Sequence, residues 1–592
     1  MSSLSHGMDD PLRSFHENDP NNEDQRRSEL ICVLALVRHG DRTCKQKIQL
    51  KFHGNCPTDF PIREDIRSAE MIAGICRQLD GDLKSMCYSD PSSIQNALRI
   101  LRSDKDDLKL KIEPFIHTHG WVLKLKWGGT LTPLGITQSQ ECGKNFASII
   151  PPSTTSMPVD IKAYSSTDTR CKETAAFFVE GLKGIHAYSQ PIPVRFEDGP
   201  DGLGSLEDIP FRHSPRVERL RTEISALLMN GSAVSEELKE DLFPSEDYCP
   251  DITPPGRAAL DTIFTEYKSF SRAVSDLKVI IDEFVTLLSA VSTNSETAVI
   301  SLFLNESMSL VHARWSHISK SFQKSYGSSG ARSASASPRS RWKSVEGGRT
   351  QSGVLFSSVQ ISLIGEIHDN AQYDFRHNFY HLEFVNVQLS SRLERIRTLS
   401  NILSQVVTPC EHGLSLIDRT YIGASFLRPL IQKLRFDCRL STGHPLGPER
   451  VHLDKHNESE SAGCRIRLYF AHHSHIISLI NLIRSLDAKS FLVSSNFPAI
   501  DSIGLLGYLS RVIMRIYRND VGEGQFKLVL SISKGDDFTT RDPINFPSID
   551  VVEALFPSKE SLDDFFTNWL SLATPAESQL GPIGESTSEN LE

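Results

Sequence analysis

The sequence predicts an α/β fold, because apolar runs of strand length are repeatedly followed by a loop and then by a segment with helical spacing. The first apolar run, 30–37, is continuous, which is typical of a strand buried on both faces. A second strand is expected at 161–166, and it leads into a helix at 171–182. Sheet-like runs return at 464–470 and 525–532, so both ends of the chain are expected to supply strands.

Between the first two strands the pattern changes several times. Apolar residues at spacings near 3.6 predict helix from about 64 to 111, and the basic stretch 121–127 is expected to be extended. Pro133 suits the first turn of a helix that continues towards residue 150. We find no internal repeat of fixed period.

A long segment separates the first group of predicted strands from the second. This segment is mostly helical, for instance at 306–322, and a Ser-, Gly- and Arg-rich stretch interrupts it. The predicted parts are a disordered tail at 1–28, an α/β core at 29–204 and 405–573, a mainly helical insertion at 205–404 with a disordered loop at 325–353, and a disordered tail at 574–592.

Composition excludes several classes of protein. The formal net charge of -10 argues against broad binding to nucleic acid or an acidic membrane, because summed positive charge holds such partners. No segment approaches the roughly 20 apolar residues of a membrane helix, and the first 27 residues do not resemble a signal peptide. The 11 cysteines are an odd number and form no Cys-x-x-Cys pair, which indicates reduced thiols. We therefore expect a cytoplasmic protein.

The strongest indication of chemistry follows the first strand. Arg38, His39 and Arg42 emerge together there, with Lys45 and Lys47 close behind and a single acid, Asp41, among them. Ligands of α/β sheets bind beyond the carboxyl ends of strands, and arginine forks match phosphate oxygens. An imidazole between two such arginines is suited to attack phosphorus. The alternative is a solvated basic loop with an incidental histidine.

Two later strand ends carry similar residues. Arg170 follows the strand at 161–166, although an arginine at a helix start also fits a surface ion pair. Three histidines, His472, His473 and His475, follow the strand at 464–470. They could instead bind a metal, but no acid or cysteine lies nearby and no spacing of Cys and His nominates ligands for a structural metal.

The order of these motifs resembles that of the histidine acid phosphatase superfamily. More narrowly, the chain is similar to the phosphatase domain of the diphosphoinositol-pentakisphosphate kinases. Four stretches carry that narrower resemblance, at 38–47, 125–135, 164–182 and 474–479. This family also has an ATP-dependent kinase half, for which the short segment before the first motif leaves no room, so we expect a separate phosphatase or a fragment.

The resemblance implies a histidine-phosphatase-like core sheet with flanking helices and a largely helical inserted domain. It further implies that the β-phosphate of an inositol pyrophosphate, at the 1-position, is removed through a phosphohistidine intermediate, with no cofactor required. His39 is the expected nucleophile. The expected phosphate-holding residues are Arg38, Arg42, Arg170 and His475, and the expected substrate-binding residues are Asp41, Lys45, Lys47 and Lys126. The expected partner is a small polyanion; no protein partner can be named.

Departures from the family pattern bear on the chemistry. Ile476 stands where acid phosphatases carry the aspartate that protonates an alkoxide leaving group. A leaving phosphate, with a pKa of about 6, can depart without that proton, so Ile476 favours an anhydride substrate. Cys44 replaces a proline, and its thiol beside basic groups is expected to have a depressed pKa. His473 replaces an acidic residue.

Two alternative functions remain. A general phytase or acid phosphatase would be secreted, with paired cysteines and an aspartate at position 476, and the sequence has none of these features. A catalytically silent sensor of inositol polyphosphates would keep the basic pocket but lose turnover through Cys44 or His473. The sequence does not separate this second alternative from an active enzyme.

Overall fold

The structure is a computed structural model that describes the greater part of the chain. The described residues are 28–56, 65–66, 68–87, 89, 91–102, 108–114, 120–147, 150, 159–183, 194–196, 255–297, 300–327, 358–410, 464–480, 506–519, 526–533, 535 and 548–549. The tail predicted at 574–592, nearly all of the tail predicted at 1–28 and most of the loop predicted at 325–353 lie outside these residues.

Eleven strands occur in the described residues, and they form two sheets. In chain order they are β1 (Ser28–Arg38), β2 (Gln46–His53), β3 (Asp65–Ile66), β4 (Lys109–Pro114), β5 (Gly120–Trp127), β6 (Val159–Ser165), β7 (Val194–Phe196), β8 (Cys464–Ala471), β9 (Arg511–Asn519), β10 (Phe526–Ser533) and β11 (Ser548–Ile549).

The larger sheet has seven strands in the order β11-β10-β9-β1-β8-β6-β7. Strands β1, β8, β6 and β7 are parallel, whereas β9, β10 and β11 add to β1 in antiparallel pairs. The register joins Arg38 to Ala471 and joins Ser165 to Phe470. The carboxyl ends of β1, β8 and β6 therefore meet at one edge, as the predicted α/β fold requires.

The smaller sheet has four antiparallel strands in the order β2-β5-β4-β3, and its two faces differ. Residues of β2 alternate, so Leu50 and Phe52 are fully buried while Lys47 and Lys51 are exposed. The register places three exposed lysines side by side across β2, β5 and β4, and we call them the lysine row: Lys47, Lys126 and Lys109.

The helices lie between and beyond the strands. In chain order they are α1 (Ala69–Asp80), α2 (Asp82–Met86), α3 (Pro91–Arg102), α4 (Pro133–Ala147), α5 (Thr169–Lys183), α6 (Pro255–Thr262), α7 (Phe270–Thr293), α8 (Met308–Gly327), α9 (Ser358–His377), α10 (Phe379–Val385) and α11 (Val387–Cys410). A further helical segment at 473–480 follows β8.

Each group of elements has its own apolar core. Helices α4 and α5 cover one face of the larger sheet, where Phe146 and Phe178 pack against Phe470 and other strand residues. Helices α1 and α3 cover the apolar face of the smaller sheet. Helices α6 to α11, which we call the helical region, share a third core around residues such as Phe284 and Trp315.

Several predicted boundaries differ from those observed. The segment expected to be helical from 64 to 111 begins with β3 and ends in β4, because it must complete the smaller sheet. Residues 325–327, expected in a disordered loop, end helix α8. Helix α11 continues to Cys410, so the boundary expected after residue 404 falls inside a continuous helix.

Candidate active site

His39 follows the last residue of β1, at the edge where three parallel strands end. Its backbone N–H donates to the carbonyl of Ala471 at 3.1 Å, and its carbonyl accepts from Leu509 at 3.3 Å. The ring atom Nδ1 lies 2.9 Å from the carbonyl oxygen of Gly40. Because a carbonyl can only accept, Nδ1 carries the proton and Nε2 keeps its lone pair. The ring therefore has the tautomer of a nucleophile that attacks through Nε2.

Burial and neighbouring charges keep this imidazole neutral. The pKa of His39 lies well below its usual value, first because the ring is buried and then because Arg170, Arg38 and Arg42 oppose a further positive charge. We call these three arginines around His39 the arginine pocket. A neutral ring at ordinary pH is available to attack an electrophile without prior loss of a proton.

Each guanidinium of the arginine pocket is fixed by protein acceptors. Arg38 donates to the carbonyl of Leu506 and lies 4.8 Å from the centre of the Tyr508 ring. Arg42 pairs with Asp369 of α9 at 3.1 Å, and Arg170 pairs with Asp168. Guanidinium groups held in this way need to change their positions little when an anion binds.

Asp41 holds the loop rather than facing the pocket. Its side chain is 1% exposed, and its two oxygens accept from Arg376 at 2.8 Å, His377 at 2.7 Å and Thr132 at 2.5 Å. Burial would raise the pKa of Asp41, but His377 and Arg376 outweigh it and lower the pKa. The geometry does not support the prediction that Asp41 binds substrate, because protein donors already engage both of its oxygens.

Two glycines allow the loop after β1 to lie close to its neighbours. A Cβ atom on Gly135, in the first turn of α4, would come within 2.1 Å of the carbonyl oxygen of Asp41. Gly128 has a φ of +80°, and a Cβ atom there would come within 2.0 Å of the carbonyl oxygen of Cys44. These glycines therefore fix where the loop and the residues on it lie.

Of the three predicted lysines, one lies at the pocket edge and two lie on the smaller sheet. Lys45 is at the pocket edge, with Nζ 3.6 Å from Asp168, and its pKa is lowered by partial burial and by Arg170. Lys47 and Lys126 belong to the lysine row on the smaller sheet. The pKa of Lys47 is lowered by partial burial and then by Lys126. Their roles in substrate binding remain predictions.

Two of the late histidines, His472 and His475, lie close together beyond β8. His475 is fully buried in a helical segment at 473–480, and its ring centre lies 5.8 Å from that of His472. Its expected role as a donor to the phosphoryl group remains a prediction. His472, which the prediction did not include in the site, lies 5.8 Å from the His39 ring. It could have been found from its place directly after β8, which matches the place of His39 after β1.

Other site residues could not be found from local sequence. Tyr508 precedes β9, and its ring centre lies 5.7 Å from that of His39 and 5.6 Å from the Arg376 guanidinium. Burial raises the pKa of Tyr508 to about 12, so its phenol remains protonated at neutral pH. Asp369 and Arg376 come from α9, and only tertiary packing brings this helix to the pocket.

Cys44 contradicts the expectation of an activated thiol. It is 5% exposed, and burial raises its pKa to about 12 although Arg314 lies beside it. The Arg314 guanidinium, 3.2 Å from Sγ, is neutralised by Glu306 and Asp374 at 3.1 and 3.0 Å. The predicted depression of the pKa is wrong because the basic neighbour is already paired and water is excluded.

The described residues contain no group of three or more His, Cys, Asp or Glu side chains arranged to hold a metal ion. Among the described helices, none combines the length and the apolar character that crossing a membrane requires.

Comparisons with known proteins place this site in a family. A model of the histidine phosphatase superfamily, branch 2, matches residues 29–531. The chain is 24% identical over 590 residues to inositol hexakisphosphate and diphosphoinositol-pentakisphosphate kinase 2 of Xenopus laevis, covering 88% of this chain and 47% of that protein. The human protein of the same name is also 24% identical, over 593 residues, with 88% and 43% covered. The chain thus spans about half the length of the curated relatives it matches.

The solved structures similar to this chain include phytases. The apo form of Hafnia alvei phytase is 10% identical, with a TM-score of 0.32 and coverage of 93% of this chain and 98% of that chain. The phytase from D. castellii is 12% identical, with a TM-score of 0.30 and coverage of 92% and 80%. The family match at 29–531 spans most of the 592 residues and contains His39 and the arginine pocket. The chain therefore belongs to branch 2 of the histidine phosphatase superfamily, and it is a phosphatase.

Proposed function

We propose that this phosphatase removes the β-phosphate of a diphosphoinositol polyphosphate, at the 1-position, through a phosphohistidine on His39. The observation that carries the proposal is the neutral His39 ring, with a lone pair on Nε2, beside the buried Arg38 and the largely buried Arg42 and Arg170. Such a site combines a nucleophile with fixed positive charge for a phosphoryl group.

The proposed reaction takes place in two steps, transfer of the phosphoryl group to His39 and hydrolysis of the phosphohistidine. In the first, Nε2 of His39 attacks the β-phosphorus, the anhydride P–O bond breaks, and the electron pair leaves with the inositol phosphate. In the second, water attacks the phosphohistidine, the P–N bond breaks, and inorganic phosphate is released. Arg38, Arg42 and Arg170 hold the phosphoryl oxygens in both steps, where charge develops.

The surroundings of the late histidines support an anhydride as the substrate. Position 476, where acid phosphatases keep their proton donor, holds a fully buried isoleucine. Two carboxylates beside the arginine pocket, Asp168 and Asp369, are engaged in ion pairs with Arg170 and Arg42. A phosphate leaving group, with a pKa of about 6, departs without protonation.

The relatives and the charge distribution support an inositol polyphosphate as the molecule that carries the anhydride. The names of the relatives include inositol hexakisphosphate and diphosphoinositol-pentakisphosphate. Although the chain has a net charge of -10, Lys45 lies at the pocket edge, and β2, which follows it in the chain, carries Lys47 of the lysine row. The proposal is that a ligand with several phosphates binds the arginines and is attracted by these exposed lysines.

The proposal is tested by incubating the purified protein with 1- and 5-diphosphoinositol phosphates, inositol hexakisphosphate and p-nitrophenyl phosphate. Phosphorus NMR identifies the products, and the His39→Ala protein is the control. We expect loss of the β-phosphate from the 1-diphosphoinositol compound and no change with the control. Faster hydrolysis of inositol hexakisphosphate would indicate a phytase instead, and tight binding without turnover would indicate a sensor.

A further inference from the structure

The chain directly before β9 forms a tight turn with an unusual backbone conformation. The N–H of Ser510 donates to the carbonyl of Gly507 at 3.3 Å, which closes a β-turn with Tyr508 and Leu509 at its centre. Leu509 has a φ of +58°, in the left-handed region that leucine rarely adopts. Its side chain is buried in the core of the larger sheet. Backbone strain of this kind persists only where the surroundings fix it, and it often accompanies a functional group.

Hydrogen bonds tie this turn to the residues at the end of β1. The N–H of Leu509 donates to the carbonyl of His39 at 3.3 Å, and the N–H of Arg38 donates to the carbonyl of Ser510 at 2.8 Å. The Arg38 guanidinium also donates to the carbonyl of Leu506. The turn and the nucleophile are therefore held together, and the tyrosine at the centre of the turn has a fixed place in the site.

The Tyr508 ring lies beside two arginines and the nucleophile. Its centre is 4.8 Å from the Arg38 guanidinium, 5.6 Å from that of Arg376 and 5.7 Å from the centre of the His39 ring. The side chain is half-buried, so it is not sealed off from a bound ligand. The arginines interact with the π-system of the ring, and these contacts do not use the hydroxyl group.

The hydroxyl end of Tyr508 lies near the ion pair of Arg42 and Asp369. Burial raises the pKa of Tyr508 to about 12, while Arg42 opposes this rise and Asp369 adds to it, so both groups are close to the phenol oxygen. Within the part of the chain that the structure describes, no residue accepts a hydrogen bond from this hydroxyl. Guanidinium groups cannot accept hydrogen bonds, so an anion bound among them is the acceptor that suits this O–H.

We propose that Tyr508 is a further catalytic residue, whose hydroxyl donates a hydrogen bond to the phosphoryl group held by Arg38 and Arg42. The inference rests on the proposed function only in taking His39 as the nucleophile. The hydroxyl keeps its proton throughout, because a phenol is a much weaker acid than a leaving phosphate, whose pKa is about 6. Tyr508 thus adds a neutral donor to the arginine pocket and does not act as the proton donor that position 476 lacks.

Tyr508→Phe removes only the hydroxyl and keeps the ring beside its arginines. We expect kcat to fall roughly 10- to 100-fold, because a hydrogen bond to a charged group is lost where charge develops. Tyr373→Phe is the matched control, since Tyr373 also has an arginine over its ring, Arg314 at 5.4 Å, but lies in the helical region. Its kcat should stay within about twofold of the wild type. An unchanged kcat in Tyr508→Phe, a loss confined to Tyr508→Leu, or equal losses in the two Phe variants would overturn the proposal.

A series of substituted phenyl phosphates separates a hydrogen-bond donor from a proton donor. If the Tyr508 hydroxyl binds the transferring phosphoryl group, Tyr508→Phe should lower kcat/KM by the same factor for good and poor leaving groups. A loss that grows as the leaving group becomes more basic would show that Tyr508 protonates it, and would overturn the proposal.

A binding test does not depend on the substrate. Inorganic vanadate can adopt the five-coordinate geometry of phosphoryl transfer, so its affinity reports on donors to the transferring group. Calorimetry should show vanadate binding roughly 10-fold weaker in Tyr508→Phe and unchanged in Tyr373→Phe. This result is expected even if diphosphoinositol phosphates prove not to be substrates, so the two proposals can fail separately. Equal vanadate affinities of the wild type and Tyr508→Phe would overturn the role of the hydroxyl.

Discussion

The arginine pocket and the lysine row concentrate positive charge in two different ways. In the pocket, Arg38, Arg42 and Arg170 are largely buried, and each fork is tied to a carbonyl or carboxylate. In the lysine row, Lys47, Lys126 and Lys109 are exposed and lie opposite one another across three strands. The largely buried guanidinium groups keep one geometry. The exposed ammonium groups, on flexible side chains, attract an anion without holding it in one position.

The energetic balance of the two regions also differs. Like charges directly opposite on neighbouring strands cost a few tenths of a kcal/mol to about 1 kcal/mol, and the smaller sheet tolerates this at Lys47 and Lys126. The pocket avoids such a cost by placing Asp369 and Asp168 beside its arginines. We infer that the pocket serves bond breaking, while the row serves long-range attraction of a polyanion.

The largest expected effect is on the free energy of unfolding, and it concerns Asp374, which pairs with the buried Arg314. Asp374 is fully buried and accepts from Arg314 at 3.0 Å, from the Trp315 indole at 2.7 Å and from Asn378 at 2.8 Å. Asp374→Ala leaves these donors without that acceptor and should lower the free energy of unfolding by about 3 to 5 kcal/mol in urea titrations. The exposed pair Lys144–Glu141 is the control, and Glu141→Ala should cost less than about 1 kcal/mol. Similar losses in both variants would erase the distinction between buried and exposed charge.

Removing one guanidinium group from the arginine pocket should lower kcat more than removing one ammonium group from the lysine row. Arg170→Ala should lower kcat by about 10²- to 10³-fold, since it removes a donor to developing charge. Lys126→Ala should change kcat less than about threefold and act mainly on KM. Steady-state kinetics with the 1-diphosphoinositol substrate measures both. A loss in kcat from Lys126→Ala that matches the loss from Arg170→Ala would place the row in the chemical step.

The lysine row can be tested through its dependence on salt. Replacing Lys47 and Lys126 together with glutamine should lower kcat/KM roughly three- to tenfold at low ionic strength, because steering weakens. The difference from the wild type should shrink as salt is raised above about 0.15 M, where exposed charges are screened over about 8 Å. Lys144→Gln, on α4 away from the row, is the control. A deficit that persists unchanged in high salt would indicate fixed contacts instead of steering.

The smallest expected effect concerns Cys44. Burial raises its pKa to about 12, so iodoacetamide at pH 7.5 should modify it at less than about a tenth of the rate of an exposed cysteine. Mass spectrometry of the native protein follows the modification. Rapid alkylation of Cys44 with loss of activity would show that the thiol is reactive after all.

Much of the fold was predictable because its evidence is local. The apolar run at 30–37, the strand predicted at 161–166 and the helix that follows it agree with β1, β6 and α5 to within a few residues. Strand β2 was not predicted, because it contains no continuous apolar run. Its alternation, with Leu50 and Phe52 buried between exposed lysines, could have revealed it.

The site residues could be predicted only where they belong to a local sequence motif. His39 and the arginines follow strand ends, so their convergence was expected from the parallel sheet. Asp369 and Arg376 come from a helix more than 300 residues further along the chain, and no local pattern indicates that they contact Arg42 and Asp41. The pKa of Cys44 could not be predicted either, because it depends on burial that tertiary packing creates.

The central claim is that His39 becomes phosphorylated at Nε2 during turnover, and rapid quenching tests it most directly. The enzyme is mixed with a diphosphoinositol phosphate labelled at its β-phosphate, quenched in base within milliseconds and digested for mass spectrometry. We predict an acid-labile, base-stable phosphoryl group on Nε2 of His39 that is absent from the His39→Ala protein. Turnover with no labelled intermediate, or with the label on another residue, would contradict the account.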